Sequence, residues 1–274
     1  MNKTNQRIET QYVCTNLYKD IVVRLEEQNI DLNQVTRAHI AGVDEFHVRG
    51  VQVTKELVQE IDFQNLNVLD VGCGLGGPAR MLADEFNCTV SGIDMSHDFI
   101  DAAQKLSALV KTNGSTEFVQ GDALDLPYSD NCFDVVWTQH VQMNIEDKTK
   151  FYQEIDRVLK PGGSFIYYDI FRIGDNNINF PVPWADRDEV SFLGTKHNMD
   201  SILTKLGFTK TQTKDQTKKG ATFFRGMLEK IKLSGPPKLG LNVLMGASTK
   251  DKIGNILNGL ETGKIELESG VYKK

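Results

Sequence analysis

From about residue 61 onward, short runs of apolar and β-branched residues alternate with longer segments in which apolar side chains recur every three or four positions. The short runs predict strands at Asn67 to Asp70, Thr89 to Asp94, Thr116 to Gln120, Phe133 to Thr138 and Ser164 to Ile170, with a last strand in IELESGVYKK. Between them PARMLADEF, DFIDAAQKLSALVKTNG and KTKFYQEIDRVLKPGG have helical spacing, and the last two end in Gly or Pro-Gly stops. Strands that alternate with helices in this way predict an α/β fold with a doubly wound parallel sheet. No repeat period or low-complexity segment interrupts the alternation.

Two less regular parts flank this core. Residues 1–60 contain the helical patterns VCTNLYKDIVVRLEEQ and QVTKELVQEI and are expected to form an N-terminal cap. Residues 61–274 are expected to form the main domain, interrupted at about 218–262 by a helical insertion in which FFRGMLEKIKL and DKIGNILNGLETG lie either side of a Pro-Gly breaker. Open α/β sheets bind ligands beyond the carboxyl ends of their strands, so these two parts are expected to roof the site and choose its substrate.

The first strand runs directly into glycines, in NVLDVGCGLGG from Asn67 to Gly77. Gly72, Gly74 and Gly76 lack the Cβ atoms that would hold a ligand away from the backbone, and Pro78 starts a helix whose free N–H groups face the same point. Gly72, Gly74 and Gly77 also satisfy the dinucleotide pattern G-x-G-x-x-G, with Asp94 following at the customary distance. A pyrophosphate in that turn would be repelled by Asp70, two residues before the first glycine. A third acid, Asp122, stands where the third strand should end, and dinucleotide binding has no standard use for it. Asp70, Asp94 and Asp122 together point to an adenosine ligand with a positive end.

VLDVGCGLGG, GIDMS, FVQGDALDLPYSDNCFDVVW and RVLKPGG, in that order, resemble the successive motifs of the class I S-adenosylmethionine-dependent methyltransferases over about Asn67 to Ile170. The resemblance implies a Rossmann-like, mostly parallel seven-stranded sheet. It also implies roles for residues. Gly72, Gly74 and Gly76 would admit the methionine part and Asp70 its ammonium side. Asp94, with Met95 beside it, would take the ribose hydroxyls, Asp122 and the Ala123 backbone would hold the adenine edge, and Gln139 would complete the cofactor contacts.

The segment GVDEFHVRGVQVTKEL, Gly42 to Leu57, resembles the loop that closes over the methionine end in the sarcosine/dimethylglycine and phosphoethanolamine methyltransferases. That likeness makes His47 and Arg49 acceptor contacts and Tyr12 a residue near the reactive centre. The chain departs from the phosphobase enzymes where it has Asn144 in place of a histidine and His140 in place of an acid, which argues against a phosphoethanolamine acceptor.

Composition narrows the partners. The 274 residues are 40% hydrophobic, enough for a packed core, and the net charge of −6 without a long basic cluster argues against a nucleic-acid partner. Cys14, Cys73, Cys88 and Cys132 are scattered without C-x-x-C spacing, so no metal site or disulfide framework is expected. The polar start MNKTNQRIETQ and the lack of a membrane-length apolar run place the protein in the cytoplasm as an expectation, with a small-molecule partner and a homodimer left open.

Methyl transfer from a sulfonium is a displacement that moves charge without creating it, so alignment and exclusion of water should dominate. WTQHVQMNI, Trp137 to Ile145, leaves the fourth strand at the site edge. His140 is its candidate base or orienter and Asn144 a candidate acceptor contact. INFPVPWADRDEVSFLG brings Phe180 and Trp184 to the same rim as a lid, and with Tyr12, Phe223 and Phe224 these aromatics could hold a methylated ammonium. The expected activity is N-methylation of an amine or amino acid, sarcosine/dimethylglycine-like, yielding S-adenosylhomocysteine. O- or C-methylation of a quinone precursor or sterol is the alternative, an NAD-dependent oxidoreductase the alternative class, and binding without chemistry a third.

Overall fold

The computed structural model describes residues 16–274. Its frame is one seven-stranded sheet in the order β3-β2-β1-β4-β5-β7-β6. The strands are β1 (Asn67–Val71), β2 (Thr89–Asp94), β3 (Thr116–Gln120), β4 (Phe133–Gln139), β5 (Leu159–Arg172), β6 (Thr209–Asp215) and β7 (Ile265–Lys273). β7 pairs antiparallel with both β5 and β6, and the other pairs are parallel.

The central strands are apolar because both faces of the sheet are covered. Along β5, Phe165, Tyr167 and Phe171 enter one core, while Ile166, Tyr168 and Ile170 enter the other. In β4, Val135 and Trp137 alternate with Val136 in the same sense. This period of two is the pleat expressed as packing.

Helices α1 (Leu17–Glu26), α2 (Arg37–Asp44) and α3 (Val51–Leu57) precede the sheet. The crossovers are α4 (Gly77–Phe86), α5 (His97–Leu109) and α6 (Lys148–Val158), and α7 (Lys196–Lys205) leads into β6. Helix starts are fixed by local chemistry. Ser96 accepts from Phe99 N at 3.3 Å, Asp147 from Lys150 N at 2.9 Å and Thr195 from Asn198 N at 3.2 Å. Between β6 and β7 come α8 (Thr217–Ser234), one turn at Asn242–Met245 and α9 (Thr249–Glu261).

Two elements differ from their sequence pattern. β6, TKTQTKD, has almost no apolar residues because it is an edge strand exposed along most of its length. Its strand form comes from the backbone ladder with β7, which hydrophobic periodicity does not register. The KPGG expected as a helix stop is the start of β5, where Gly162 N donates to Lys274 O at 3.0 Å and Lys274 N to Gly163 O at 3.1 Å.

Candidate functional site

β1 is flanked by β2 on one side and β4 on the other, so the chain reverses its winding there and a crevice opens at the carboxyl ends of these strands. A solvent-open cleft of about 990 Å³ occupies it, lined by Asp70, Gly72, Gly74, Asp94, Met95 and Ala123 among others. Its floor is pinned by Gly72 N and Cys73 N, which donate to Ile93 O at 2.7 and 3.1 Å.

The glycines do different work. A Cβ on Gly72 would come within 2.6 Å of Val141, so that glycine is required by packing beneath the turn. A Cβ on Gly74, where φ is +52°, would meet no atom within 4 Å and would project into open space. That is what a cradle for a ligand demands.

Asp94, at the end of β2, accepts Gly74 N at 3.0 Å through one carboxylate oxygen and Ser96 N at 2.9 Å through the other. Burial pushes its pKa up, against the opposing backbone N–H groups. Met95 is fixed by Gln120 Nε2, which donates to its carbonyl at 3.0 Å. Gly121 and Ala123 reach the cleft, whereas Asp122 does not line it and accepts Leu124 N at 2.9 Å.

Asp70 is buried with Oδ2 unpartnered. Burial, then the negative charges of Glu45 and Asp94, raise its pKa to about 8. A cationic ligand group is what this carboxyl lacks. Its pKa exceeds the unfolded value, so its contribution to stability is complete at low pH and is lost as pH rises through about 8. In ligand-free protein, Asp70→Asn should therefore gain stability relative to wild type as pH rises from 5 to 8.5, by a Tm increment of about 2–6 °C. Thermal unfolding across that range measures it, and a difference that stays constant with pH would assign the titration to another group.

A buried network lies beside the cleft. Trp137 Nε1 donates to Gln139 Oε1 at 3.0 Å, Gln139 Nε2 to Thr54 Oγ1 at 3.3 Å, and Thr54 Oγ1 to Glu45 Oε2 at 2.8 Å. His47 Nε2 stands 3.1 Å from Gly50 O, Thr54 Oγ1 and Glu45 Oε2, three groups that all require it to be the donor. Thr54 and Glu45 were not expected at the site. The only signal for them was their place in the same closing loop as His47.

His140 follows β4 with φ +57°, a left-handed conformation that costs a non-glycine residue about 1–2 kcal/mol. Its N–H donates to Tyr168 O at 2.8 Å, and its ring lies 4.7 Å from that of Tyr168. Val48 N donates to Nε2 at 3.0 Å, so Nε2 is the acceptor nitrogen and the proton of the neutral ring is on Nδ1. Nδ1 is buried without a partner. Burial and the nearby His47 hold the pKa well below its ordinary value.

Next to the cleft is an apolar cavity of about 530 Å³. Phe46, His47 and His140 line both, so the two spaces meet at these side chains. Met143, Ile170, Trp184, Phe224, Met245 and Ile256 form much of the remaining wall. Trp184 is buried there, its Nε1 donating to Ser191 Oγ at 3.0 Å.

Among the other sequence candidates, Gln139 and Asn144 line the cleft. Arg49 does not. Its guanidinium is committed to Glu56, with one N–O distance of 3.1 Å, and to Gln216 Oε1 at 3.1 Å, and it lines neither space. The expectation that it contacts the acceptor is corrected by this ion pair, which α3 and the start of α8 impose. Tyr12 lies outside the described residues.

Residues 69–167 match the family described as the methyltransferase domain. That match covers the sheet from β1 into β5 and the cleft at its edge. The whole sheet has the mostly parallel seven-stranded form that the resemblance of the four motifs implies. The chain is 29% identical to glycine/sarcosine/dimethylglycine N-methyltransferase of Actinopolyspora halophila, over 65% of its own length and 34% of that relative. It is 31% identical to sarcosine/dimethylglycine N-methyltransferase of Halorhodospira halochloris, over 55% of its length and 54% of the relative. It thus spans about a third to about half of the curated relatives it matches. In fold it is similar to Haemonchus contortus phosphoethanolamine N-methyltransferase 2 in complex with S-adenosyl-L-methionine, with a TM-score of 0.73 at 17% identity, covering 100% of this chain and 60% of that one. Among the described residues, no helix is long and apolar enough to cross a membrane.

Proposed function

We propose that this protein transfers a methyl group from S-adenosylmethionine to the nitrogen of a small-molecule acceptor. The observation that carries the reading is the cradle at the end of β1, where Gly74 presents open backbone between the Asp94 carboxylate and the unpartnered Asp70 oxygen. The residues fit the cofactor. Asp94 would hold the ribose hydroxyls, Asp70 the ammonium, and Met95, Gly121 and Ala123 the adenine, with Asp122 shaping that turn from behind. When bound, the cofactor supplies an electrophilic methyl on a sulfonium and leaves as S-adenosylhomocysteine. The names of the curated relatives support nitrogen as the acceptor atom.

The chain's own residues exclude water and orient. Phe46, His47 and His140 stand where the cleft meets the apolar cavity, and Trp184 closes the far wall. Residues 16–60 and the helical pair near 218–262 act as caps, Asn144 stands on the acceptor side of the cleft, and the setting is cytoplasmic.

His140 acts as a positioning residue that holds the Phe46–Val48 segment through Nε2, and not as a base, because its basic nitrogen already accepts Val48 N and its depressed pKa keeps it neutral. His140→Ala should lower kcat about tenfold, the size of one lost hydrogen bond, with no change in the form of the pH–rate profile from 6 to 9. Loss of a pH-dependent limb, or a fall beyond about 10²-fold, would identify a general base instead. Isothermal titration with S-adenosylhomocysteine and NAD tests the cofactor assignment directly. Binding of NAD in preference to S-adenosylhomocysteine would remove it.

A further inference from the structure

Of the acceptors that the proposed activity allows, an amine and an amino acid make opposite demands on a pocket. An amino acid such as sarcosine brings a carboxylate that must be paired with a cation or with several donors when it leaves water. An amine carried on a hydrocarbon frame needs apolar surface and no counter-charge.

The second cavity has the second character. Its wall is made by Phe46, Met143, Ile170, Trp184, Phe224, Met245 and their apolar neighbours, and its polar lining residues are His47 and His140, with the Trp184 indole N–H already donated to Ser191. Among the described residues, no Lys or Arg lines this cavity or the cleft it joins. Arg49, the nearest sequence candidate for gripping a carboxylate, is held by Glu56 and Gln216. His47 Nε2 is spent on Gly50, Thr54 and Glu45. That leaves His140 Nδ1–H and, on the ring packed against it, the Tyr168 hydroxyl as unpaired polar atoms near the junction, both neutral.

We propose that the acceptor is an apolar amine without a carboxylate, whose hydrocarbon body fills this cavity and whose nitrogen reaches the junction at His140 uncharged. The proposal rests on the methyltransferase reading and narrows it. An apolar wall disfavours the ammonium form, so the amine loses its proton to water on entry and presents a lone pair with no dedicated base. That lone pair forms the new N–CH₃ bond as the C–S bond breaks and sulfur keeps the bonding electrons. For a secondary amine, the proton left on the methylated nitrogen departs to water on release.

The test uses the full chain and the N-methylalkylamines from butyl to octyl, with sarcosine as the comparison, each titrated calorimetrically with and without saturating S-adenosylhomocysteine. Affinity should rise about fourfold for each added methylene, the transfer free energy of one buried CH₂, with sarcosine binding more weakly than every member. Met245→Gln and Ile256→Lys should each flatten the series while leaving S-adenosylhomocysteine affinity within about twofold. Two substitutions on separate elements guard against one that fails to fold. An affinity independent of chain length, or sarcosine binding tighter than the octyl amine, overturns the apolar acceptor and leaves the methyltransferase reading standing. Absence of S-adenosylhomocysteine binding overturns that reading, while the slope without cofactor still reports on the cavity.

Discussion

Gly74→Val should fold normally and bind S-adenosylhomocysteine at least 10²-fold more weakly than the native protein. The two halves of this expectation have separate causes. A Cβ at Gly74 meets no atom within 4 Å beyond its chain neighbours, so packing does not oppose the start of a side chain, and the cost to the fold is the positive φ of +52°, about 1–2 kcal/mol for an L-residue. The side chain enters the open space through which the ligand must approach the backbone, and a β-branched one holds the ligand away from it. Gly72→Val is the informative contrast, because its Cβ would collide with Val141 at 2.6 Å and the damage should appear as lost thermal stability. Calorimetric titration with circular dichroism on both variants separates the effects. A folded Gly74→Val protein that binds the cofactor product with native affinity would place the ligand elsewhere.

Asp94→Ala should weaken S-adenosylmethionine binding by about 10²- to 10⁴-fold. A carboxylate that accepts two hydroxyl hydrogen bonds contributes about 1.5–3 kcal/mol through each. Asp94 also braces the cradle, since it accepts Gly74 N and Ser96 N, so its removal loosens the glycine turn as well as the ribose contact. Asp94→Asn keeps one acceptor oxygen and should recover part of the affinity. The start of α5 should persist in both variants, because Ser96 still accepts Phe99 N. Affinity unchanged in a folded Asp94→Ala protein would mean that the ribose is held by other groups.

Much of this fold was legible because its central strands are buried on both faces and therefore written as apolar runs, as in β1, β4 and β5. The cleft's position followed too, since a glycine turn after a strand and an acid at the next strand's end are local features with local causes. What the sequence concealed has an equally physical reason. β6 is polar along its length because an edge strand can satisfy its backbone on one side and leave its side chains in water, and only its pairing with β7 reveals it.

The acceptor side was hidden more deeply. His140 stood at a strand end, where it reads as a base or an orienter, but the nitrogen that carries its proton is set by Val48 N, 92 residues earlier in the chain. Arg49 lies two residues from His47 in sequence, yet one is drawn to Glu56 and Gln216 while the other lines the cleft. The apolar cavity is assembled from seven stretches near Phe46, Met143, Ile170, Trp184, Phe224, Met245 and Ile256, which meet only in the folded chain. Sequence by itself determined the central strands and the glycine turn that ends the first of them, because those depend on neighbours in the chain. The polarity of the space beyond the cradle was decided by tertiary structure, because it depends on which distant side chains meet there and which charges are already paired.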